Sequence, residues 1–204
     1  MHGSFRARTA VRSSGFTRGF NYPEESDIKD AGDLPKLGVQ NIFSVSNVCA
    51  MYDRETYEEL GGFVKSTLFN EDMIYAGHLV QAGYAIAYAA DAKVVHSHNY
   101  GCMAQLHRNF DLGVSQAQHP EIFDAYPSEG EGIRMVKKSA AYVCRIHKPW
   151  LLVTLFFQSG FKYVGYFLGK RYQSLPDGVI RWCTSNKMWW EYHGKRRKKH
   201  KQNK

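Results

Sequence analysis

The order of apolar and polar positions divides the chain into two parts. Up to about residue 95, short apolar runs alternate with Gly, Asn and Asp, which is typical of an α/β region built from short strands and helices. Beyond this point the apolar positions recur at helical spacing and predict helices over about 103–115, 131–147 and 150–169. The pattern therefore predicts an α/β fold that continues into a helical region.

The α/β part is predicted to contain two helices between short strands. Asp53 and Asn70 are residue types that cap helix N-termini, and the glycines at 61–62 and at 83 stand where the helices would end. The segment 21–37 is predicted to be a loop. The predicted elements are a buried strand over 41–52, helices over 53–60 and 70–82, and short strands over 84–89 and 92–95.

The net charge of +8 is concentrated at one end of the chain. Residues 194–204 carry seven Lys or Arg and no acid, which leaves about +1 for the remainder. A near-neutral body argues against a nucleic-acid-binding fold, so we predict no nucleic-acid partner and treat binding through the tail alone as a weaker hypothesis. A polybasic tail of this kind suits an anionic membrane surface.

The apolar segment 150–169 has two interpretations. Gln158, Lys162 and glycines interrupt it, so it is a poor membrane-spanning helix. We predict a buried helix followed by a solvated basic tail. The alternative is a helix that lies in the membrane interface, which its many aromatic residues favour.

The four cysteines are widely spaced and form no Cys-x-x-Cys pair. This spacing favours reduced thiols over a disulfide framework or a zinc site. We therefore predict a cytoplasmic protein, with the basic tail placing it at the inner face of the plasma membrane.

Acidic residues and histidines mark one candidate site. Glu71 and Asp72 open the predicted helix 70–82, and His96 and His98 end the last predicted strand. Such positions gather at one edge of an α/β sheet, so a carboxylate base and a metal-compatible histidine could meet there. Base-assisted group transfer to a hydroxyl and metal-assisted hydrolysis both fit this arrangement. Acids also stabilise helix starts without any catalytic role, and a lone histidine is more often structural.

Seven segments follow one another in a fairly specific order. They are Thr17-Arg-Gly-Phe-Asn-Tyr-Pro23, Asn47-Val-Cys-Ala-Met-Tyr52, Glu59-Leu-Gly-Gly-Phe63, Asn70-Glu-Asp-Met73, Ala82-Gly-Tyr84, Asp91-Ala-Lys-Val-Val-His96-Ser-His98 and His107-Arg-Asn-Phe-Asp-Leu-Gly113. Together they resemble the second half of family 2 glycosyltransferases, and within that family bacterial rhamnosyltransferases of polysaccharide assembly. The resemblance runs from about Phe16 to Trp190.

The resemblance implies a GT-A fold and an inverting transfer from a nucleotide-sugar. The implied donor is dTDP-rhamnose, and the implied acceptor is a glycan or a lipid-linked glycan. In such enzymes Asp72 would be the general base and Glu71 would help to bind the acceptor. His96 would complete a site for a divalent metal, Mg²⁺ or Mn²⁺. The further candidate substrate-binding residues are Asn47, Gly62 and Asn70.

The chain departs from this family because it contains no Asp-x-Asp motif, which the family carries in its nucleotide-binding half. We therefore expect an acceptor-side half that is inactive without its partner half. The alternative function is a non-catalytic accessory module that binds a glycan or an acceptor. The expected organisation is a poorly ordered and candidate non-native N-terminus over 1–19, the acceptor-side half over 20–120, a helical region over 121–192 and the basic tail over 193–204.

Overall fold

The computed structural model describes residues 24–38, 42, 43, 45, 47–92, 94, 100–124 and 129–193. The predictions for residues 1–19, for His96 and His98, and for the tail 194–204 lie outside the described residues. In chain order the elements are β1 (Asp27–Lys29), α1 (Leu34–Leu37), α2 (Arg54–Glu59), α3 (Glu71–Gln81), β2 (Ile86–Tyr88), α4 (Cys102–Gln118), α5 (Pro120–Phe123), α6 (Glu129–Arg145), α7 (Leu151–Lys170), α8 (Asp177–Cys183) and α9 (187–193).

The predicted helices are confirmed to within a few residues. Helices α2 and α3 correspond to the predicted helices over 53–60 and 70–82. Helices α4, α6 and α7 correspond to those predicted over 103–115, 131–147 and 150–169. Their apolar positions recur every three or four residues, and backbone hydrogen bonds between neighbouring turns follow from the same local spacing. The described chain is thus mostly helical, with a small sheet, and remains compatible with an α/β region followed by helices.

The prediction of a strand over 41–52 is wrong for the residues described there. Ile42 and Phe43 are buried against α3, but the chain turns at this point, and the Val45 N–H donates to the Phe43 carbonyl oxygen at 2.7 Å. A short apolar run signals burial and does not distinguish a strand from a turn whose side chains are buried.

The described sheet consists of β1 and β2, which pair antiparallel with Ile28 opposite Ala87. Strand β2 lies inside the predicted strand 84–89, whereas β1 falls in a segment predicted to be a loop. Ala92 and Val94, the described residues of the last predicted strand, lie in no strand. Three-residue strands are too short to show an alternating pattern, so only their pairing reveals them.

The N-termini of α2 and α3 are formed differently, whereas both helices are followed by glycine. The Asp53 side chain accepts from the Thr56 N–H at 2.9 Å and caps α2 as predicted. Glycines 61, 62 and 83, with φ of 79°, 67° and 90°, end the two helices in conformations that favour glycine. The prediction that Asn70 caps α3 is wrong for its side chain. Its backbone is left-handed, at φ 64°, and the side chain makes no cap hydrogen bond.

Two hydrophobic cores hold these elements. The first surrounds α3 and contains Leu34, Ile42, Phe43, Met73, Ile74, Ala76, Val80, Ile122 and Phe123. The second surrounds α4 and contains Leu106, Phe110, Val114, Ile180, Cys183 and Trp190. The first core fixes the helix that carries the candidate acids, and the second joins α4 to the C-terminal helices.

Helix α7 packs along α4 at very close range. A Cβ on Gly165 would overlap the Leu106 carbonyl oxygen, and a Cβ on Gly169 would overlap the Phe110 carbonyl oxygen. On α4, Gly113 lies in the same way against the backbone of α7. The Tyr166 hydroxyl donates to the Gln116 side-chain oxygen at 2.9 Å. The glycines therefore let the two backbones touch.

The prediction that segment 150–169 forms a buried helix is wrong. Helix α7 is long and apolar enough to cross a membrane by length and composition, yet only 6% of its most apolar 18-residue window is buried. Its glycine face meets α4, and the opposite face carries exposed aromatic side chains. Periodicity located the helix correctly, but it could not show how much of the surface would be covered.

Candidate functional site

Asp72 lies in the first turn of α3, half-buried, beside Glu71. One of its carboxylate oxygens accepts from the Met73 N–H at 2.8 Å. Burial raises the pKa of Asp72 above its ordinary value, and the negative charge of Glu71 adds to this effect, while the backbone N–H groups of Met73 and Asn47 oppose it. A carboxylate with a raised pKa is a stronger base than an exposed aspartate, which suits proton abstraction from a hydroxyl.

A chain of hydrogen bonds holds Glu71. The Tyr52 hydroxyl donates to the Asn47 side-chain oxygen at 2.6 Å, and the Asn47 amide nitrogen donates to a Glu71 carboxylate oxygen at 3.3 Å. Burial, followed by the charges of Asp72 and Glu71, raises the pKa of Tyr52 to about 12. Tyr52 therefore stays protonated and acts as the donor. We call Asn47, Tyr52, Glu71 and Asp72 the acidic corner.

The structure thus brings together three of the site residues predicted from the sequence, Asn47, Glu71 and Asp72. Sequence reasoning missed Tyr52, although it ends the motif that begins with Asn47. A tyrosine five residues after an asparagine carries no signal by itself. Only the fold shows that the two side chains meet.

An aromatic cluster packs around Tyr52 of the acidic corner. Its rings are those of Tyr52, Tyr57, Phe63 and Tyr75, and every pair among them is in contact, with centroid separations from 5.1 Å to 6.1 Å. All six pairs meet edge to face or tilted, as aromatic quadrupoles prefer. Because Tyr75 is buried on α3, the cluster ties the position of Tyr52 to the helix that carries Asp72.

Gly62 shapes this cluster. With φ at 67°, its Cβ position would come within 2.6 Å of the Tyr57 ring. The next residue, Phe63, donates its backbone N–H to the Tyr57 hydroxyl at 2.9 Å. The structure therefore accounts for Gly62 by packing, and its predicted role in substrate binding stays a prediction.

Asn70 lies beneath the site surface. It is 4% exposed, and its carbonyl oxygen accepts from the Ile74 N–H at 2.9 Å. Within the described part of the chain its side-chain amide nitrogen has no hydrogen-bond partner. Its predicted contact with substrate stays a prediction, since the structure places the side chain inside the fold.

The predicted metal ligand, His96, lies outside the described residues. Among the residues that the structure does describe, no three His, Cys, Asp or Glu side chains come close enough to hold a metal ion. Glu71 and Asp72 alone do not form such a site. The described residues therefore do not fit a bound metal by themselves.

Helix α9 contacts the loop that leads into α3. The His193 Nδ1 lies 2.9 Å from the Trp189 carbonyl oxygen, which can only accept, so Nδ1 carries the proton. The other ring nitrogen, Nε2, forms a hydrogen bond with the Ser66 hydroxyl at 2.7 Å. The Trp189 ring stacks on the imidazole with centroids 4.2 Å apart. His193 is thus held near the segment that leads into α3.

The sequence is similar to O-antigen chain rhamnosyltransferases. RfbN of Salmonella typhimurium and WbaN of Salmonella anatum are each 41% identical to it over 177 residues, which cover 85% of this chain and 55% of the relative. The chain therefore spans about half the length of the curated relatives it matches. These matches confirm the resemblance to rhamnosyltransferases that the motifs indicated. No family model matches the sequence, and no solved structure matches it.

Proposed function

We propose that this chain is the acceptor-side part of an inverting family 2 glycosyltransferase with a GT-A fold. The proposed reaction transfers rhamnose from dTDP-rhamnose to a glycan or lipid-linked acceptor in cell-surface polysaccharide biosynthesis. The observation that carries this proposal is the half-buried Asp72 carboxylate at the start of α3, beside a Glu71 that Asn47 holds. The names of the relatives, O-antigen chain rhamnosyltransferases, support the class of reaction.

In the proposed step Asp72 accepts the proton of an acceptor hydroxyl. The hydroxyl oxygen attacks the anomeric carbon of rhamnose, the bond from that carbon to the phosphate oxygen breaks, and dTDP leaves with the bonding electron pair. Attack from the face opposite the leaving group inverts the anomeric centre. Burial favours this role for Asp72, because a raised pKa increases its affinity for the transferred proton.

Glu71 is proposed to orient the acceptor. One of its oxygens is held by the Asn47 amide, which leaves the other available to accept from a second hydroxyl of the sugar. Tyr52 fixes Asn47 in the orientation that presents its amide nitrogen. This arrangement limits the rotation of the acid pair before substrate arrives.

A divalent metal, Mg²⁺ or Mn²⁺, with His96 as one ligand, stays part of the proposal for the intact enzyme. Such a metal would neutralise charge on the leaving diphosphate. The measurement is transfer before and after chelation with EDTA, followed by addition of each metal. Transfer that EDTA leaves unchanged would remove the metal and His96 from the proposal.

We also propose a cytoplasmic location at the inner face of the plasma membrane, with the basic tail on anionic lipid. Four free cysteines suit a reducing compartment. Seven Lys or Arg in 194–204 supply the charge. We expect no nucleic-acid partner.

The test is transfer of labelled rhamnose from dTDP-rhamnose to a lipid-linked acceptor, by this chain alone and with a donor-binding half supplied. We expect turnover only with that half, and its loss in Asp72→Asn. Turnover with Asp72→Asn equal to that of the unmodified chain would overturn the proposed base.

The second candidate is a non-catalytic module that binds acceptor. The hydrogen-bonded chain from Tyr52 to Glu71 is complete within this polypeptide and favours it. A binding module needs the shape of Asp72 but not its basicity. Acceptor binding that Asp72→Asn leaves intact, together with no turnover under any combination, would therefore favour the module. Turnover by this chain alone would exclude it.

A further inference from the structure

Helix α7 carries an apolar stripe that no described part of the chain covers. Its members recur at spacings of three and four residues, so they lie on one face of the helix. They stand opposite the glycines that meet α4. The stripe consists of Val153 (60% exposed), Phe156 (73%), Phe157 (52%), Tyr163 (66%), Val164 (46%) and Phe167 (40%).

The stripe is long and aromatic. From Val153 to Phe167 it extends roughly 21 Å at the rise of an α-helix. Trp150, 63% exposed, lies just before the helix. At the other end the Arg171 guanidinium sits over the Phe167 ring at 3.8 Å from its centroid. Aromatic side chains with a nearby cation are the combination found where a helix lies at the boundary between lipid headgroups and acyl chains.

The segment that contains α7 is rich in cations, although Asp124 pairs with Lys170 at the end of the helix at 3.1 Å. Between residues 132 and 171 the sequence contains eight Lys or Arg and no Asp or Glu. Among them Arg134, Lys137 and Arg145 are exposed on the neighbouring helix α6. This region is therefore positive before the basic tail is considered, and it is complementary to an anionic surface.

The packing of α7 argues that it lies on a bilayer and does not cross it. The helix touches the α4 backbone through Gly165 and Gly169, so the two helices must move together. Helix α4 carries Arg108 and the buried carboxylate Asp111, which anchors the α8–α9 connection through Thr184 and Ser185. A crossing helix would carry these charges into hydrocarbon, which is unfavourable.

We propose that the exposed face of α7, with the cations of α6, is a docking surface for an anionic phospholipid membrane. The apolar stripe enters the acyl boundary and the surrounding Lys and Arg meet the headgroup phosphates. This extends the proposed membrane contact from the tail to the folded helices. It does not depend on the proposed sugar-transfer chemistry.

The experiment measures cosedimentation of the full chain with vesicles. One set contains phosphatidylcholine with phosphatidylglycerol, and the other contains phosphatidylcholine alone. We expect binding to the first set that falls as salt is raised. The double variant Phe156→Ser/Phe157→Ser is expected to lower the partition coefficient at least about tenfold, because two large side chains no longer enter the apolar layer. Tyr192→Ser, which removes an aromatic ring that is 83% exposed on α9, is the matched control and should bind normally.

The variant Lys195→Gln/Arg196→Gln/Arg197→Gln/Lys198→Gln/Lys199→Gln separates the contribution of the tail to binding from that of the α7 face. We expect weaker binding that still depends on Phe156 and Phe157. Binding that the double variant leaves unchanged, or that the tail variant abolishes entirely, would overturn the proposal. A dimer in sedimentation velocity that the double variant disrupts, without vesicle binding, would assign the face to a second copy instead. Asp72→Asn should bind vesicles normally, which keeps this test separate from that of the transfer reaction.

Discussion

The acidic corner and the apolar stripe of α7 differ in how their side chains are buried and partnered. At the start of α3 the side chains of Tyr52 and Glu71 are half-buried, and hydrogen bonds through the exposed Asn47 connect them. On α7 large apolar side chains are exposed to solvent, and the face that is buried against α4 carries glycines. Hydrogen bonds within the fold hold the first region in place. The second region gains stability only when another surface covers it.

Asp72→Asn is expected to have the largest effect, and it acts only on the acidic corner. An amide keeps the shape of the side chain but cannot accept the proton, so transfer should fall by about 10²–10⁴-fold. Glu58→Gln, which neutralises an exposed acid on α2, is the control and should transfer normally. The measurement is kcat/KM in the presence of the donor-binding half.

The same variant should fold at least as well as the unmodified chain. Burial raises the pKa of Asp72 in the folded state above its unfolded value. The folded state therefore binds the proton more tightly, and stability falls as the pH rises from the unfolded value to the folded one. Asn lacks this loss, so its Tm above that range should be equal or higher. A clear drop in Tm would show that Asp72 is needed for the fold.

Gly165→Ala tests the buried face of α7. Its Cβ would overlap the Leu106 carbonyl oxygen, so we expect the free energy of unfolding to fall by about 1–3 kcal/mol, as in other overpacked positions. Gly160→Ala is the matched control, since nothing lies within 4 Å of its Cβ position. It should raise stability by up to about 1 kcal/mol through helix propensity. Equal effects in urea unfolding would show that the helices are not in close contact.

Tyr52→Phe tests whether the hydrogen-bonded chain positions Glu71. It removes one hydrogen bond, worth about 0.5–1.5 kcal/mol, and retains the aromatic contacts. We expect KM for the acceptor to rise a few-fold with a smaller change in kcat and little change in Tm. Because its pKa is about 12, Tyr52 should cause no loss of activity between neutral pH and about pH 11. Unchanged KM would remove Tyr52 from acceptor positioning.

Glu71→Gln tests the smallest of the predicted effects, a shift in the pH dependence of kcat/KM. Burial is the main cause of the raised pKa of Asp72, and the Glu71 charge is a lesser one. Neutralising Glu71 should move the acidic limb of kcat/KM to lower pH, still above that of an ordinary aspartate. A limb that does not move would mean that another group controls it.

Much of the helical framework followed from the sequence, because helical hydrogen bonds join residues close in the chain. The spacing of apolar residues located α3, α4, α6 and α7, and Asp53 with its following glycines marked α2. The same local signals placed Glu71 and Asp72 at a helix start. Each of these features depends on residues within a turn or two of one another.

The remainder depended on partners distant in sequence, and the tertiary structure alone decided it. Strand β1 exists because β2, about sixty residues later, pairs with it. Asn70 stands at the N-cap position of α3 as predicted, but its backbone is left-handed and its buried side chain makes no cap hydrogen bond. The apolar segment that became α7 was assigned to the interior, yet glycine contacts with α4 turn its aromatic face outward. Periodicity records which side chains share a face, but burial depends on what meets that face, and no local pattern encodes that.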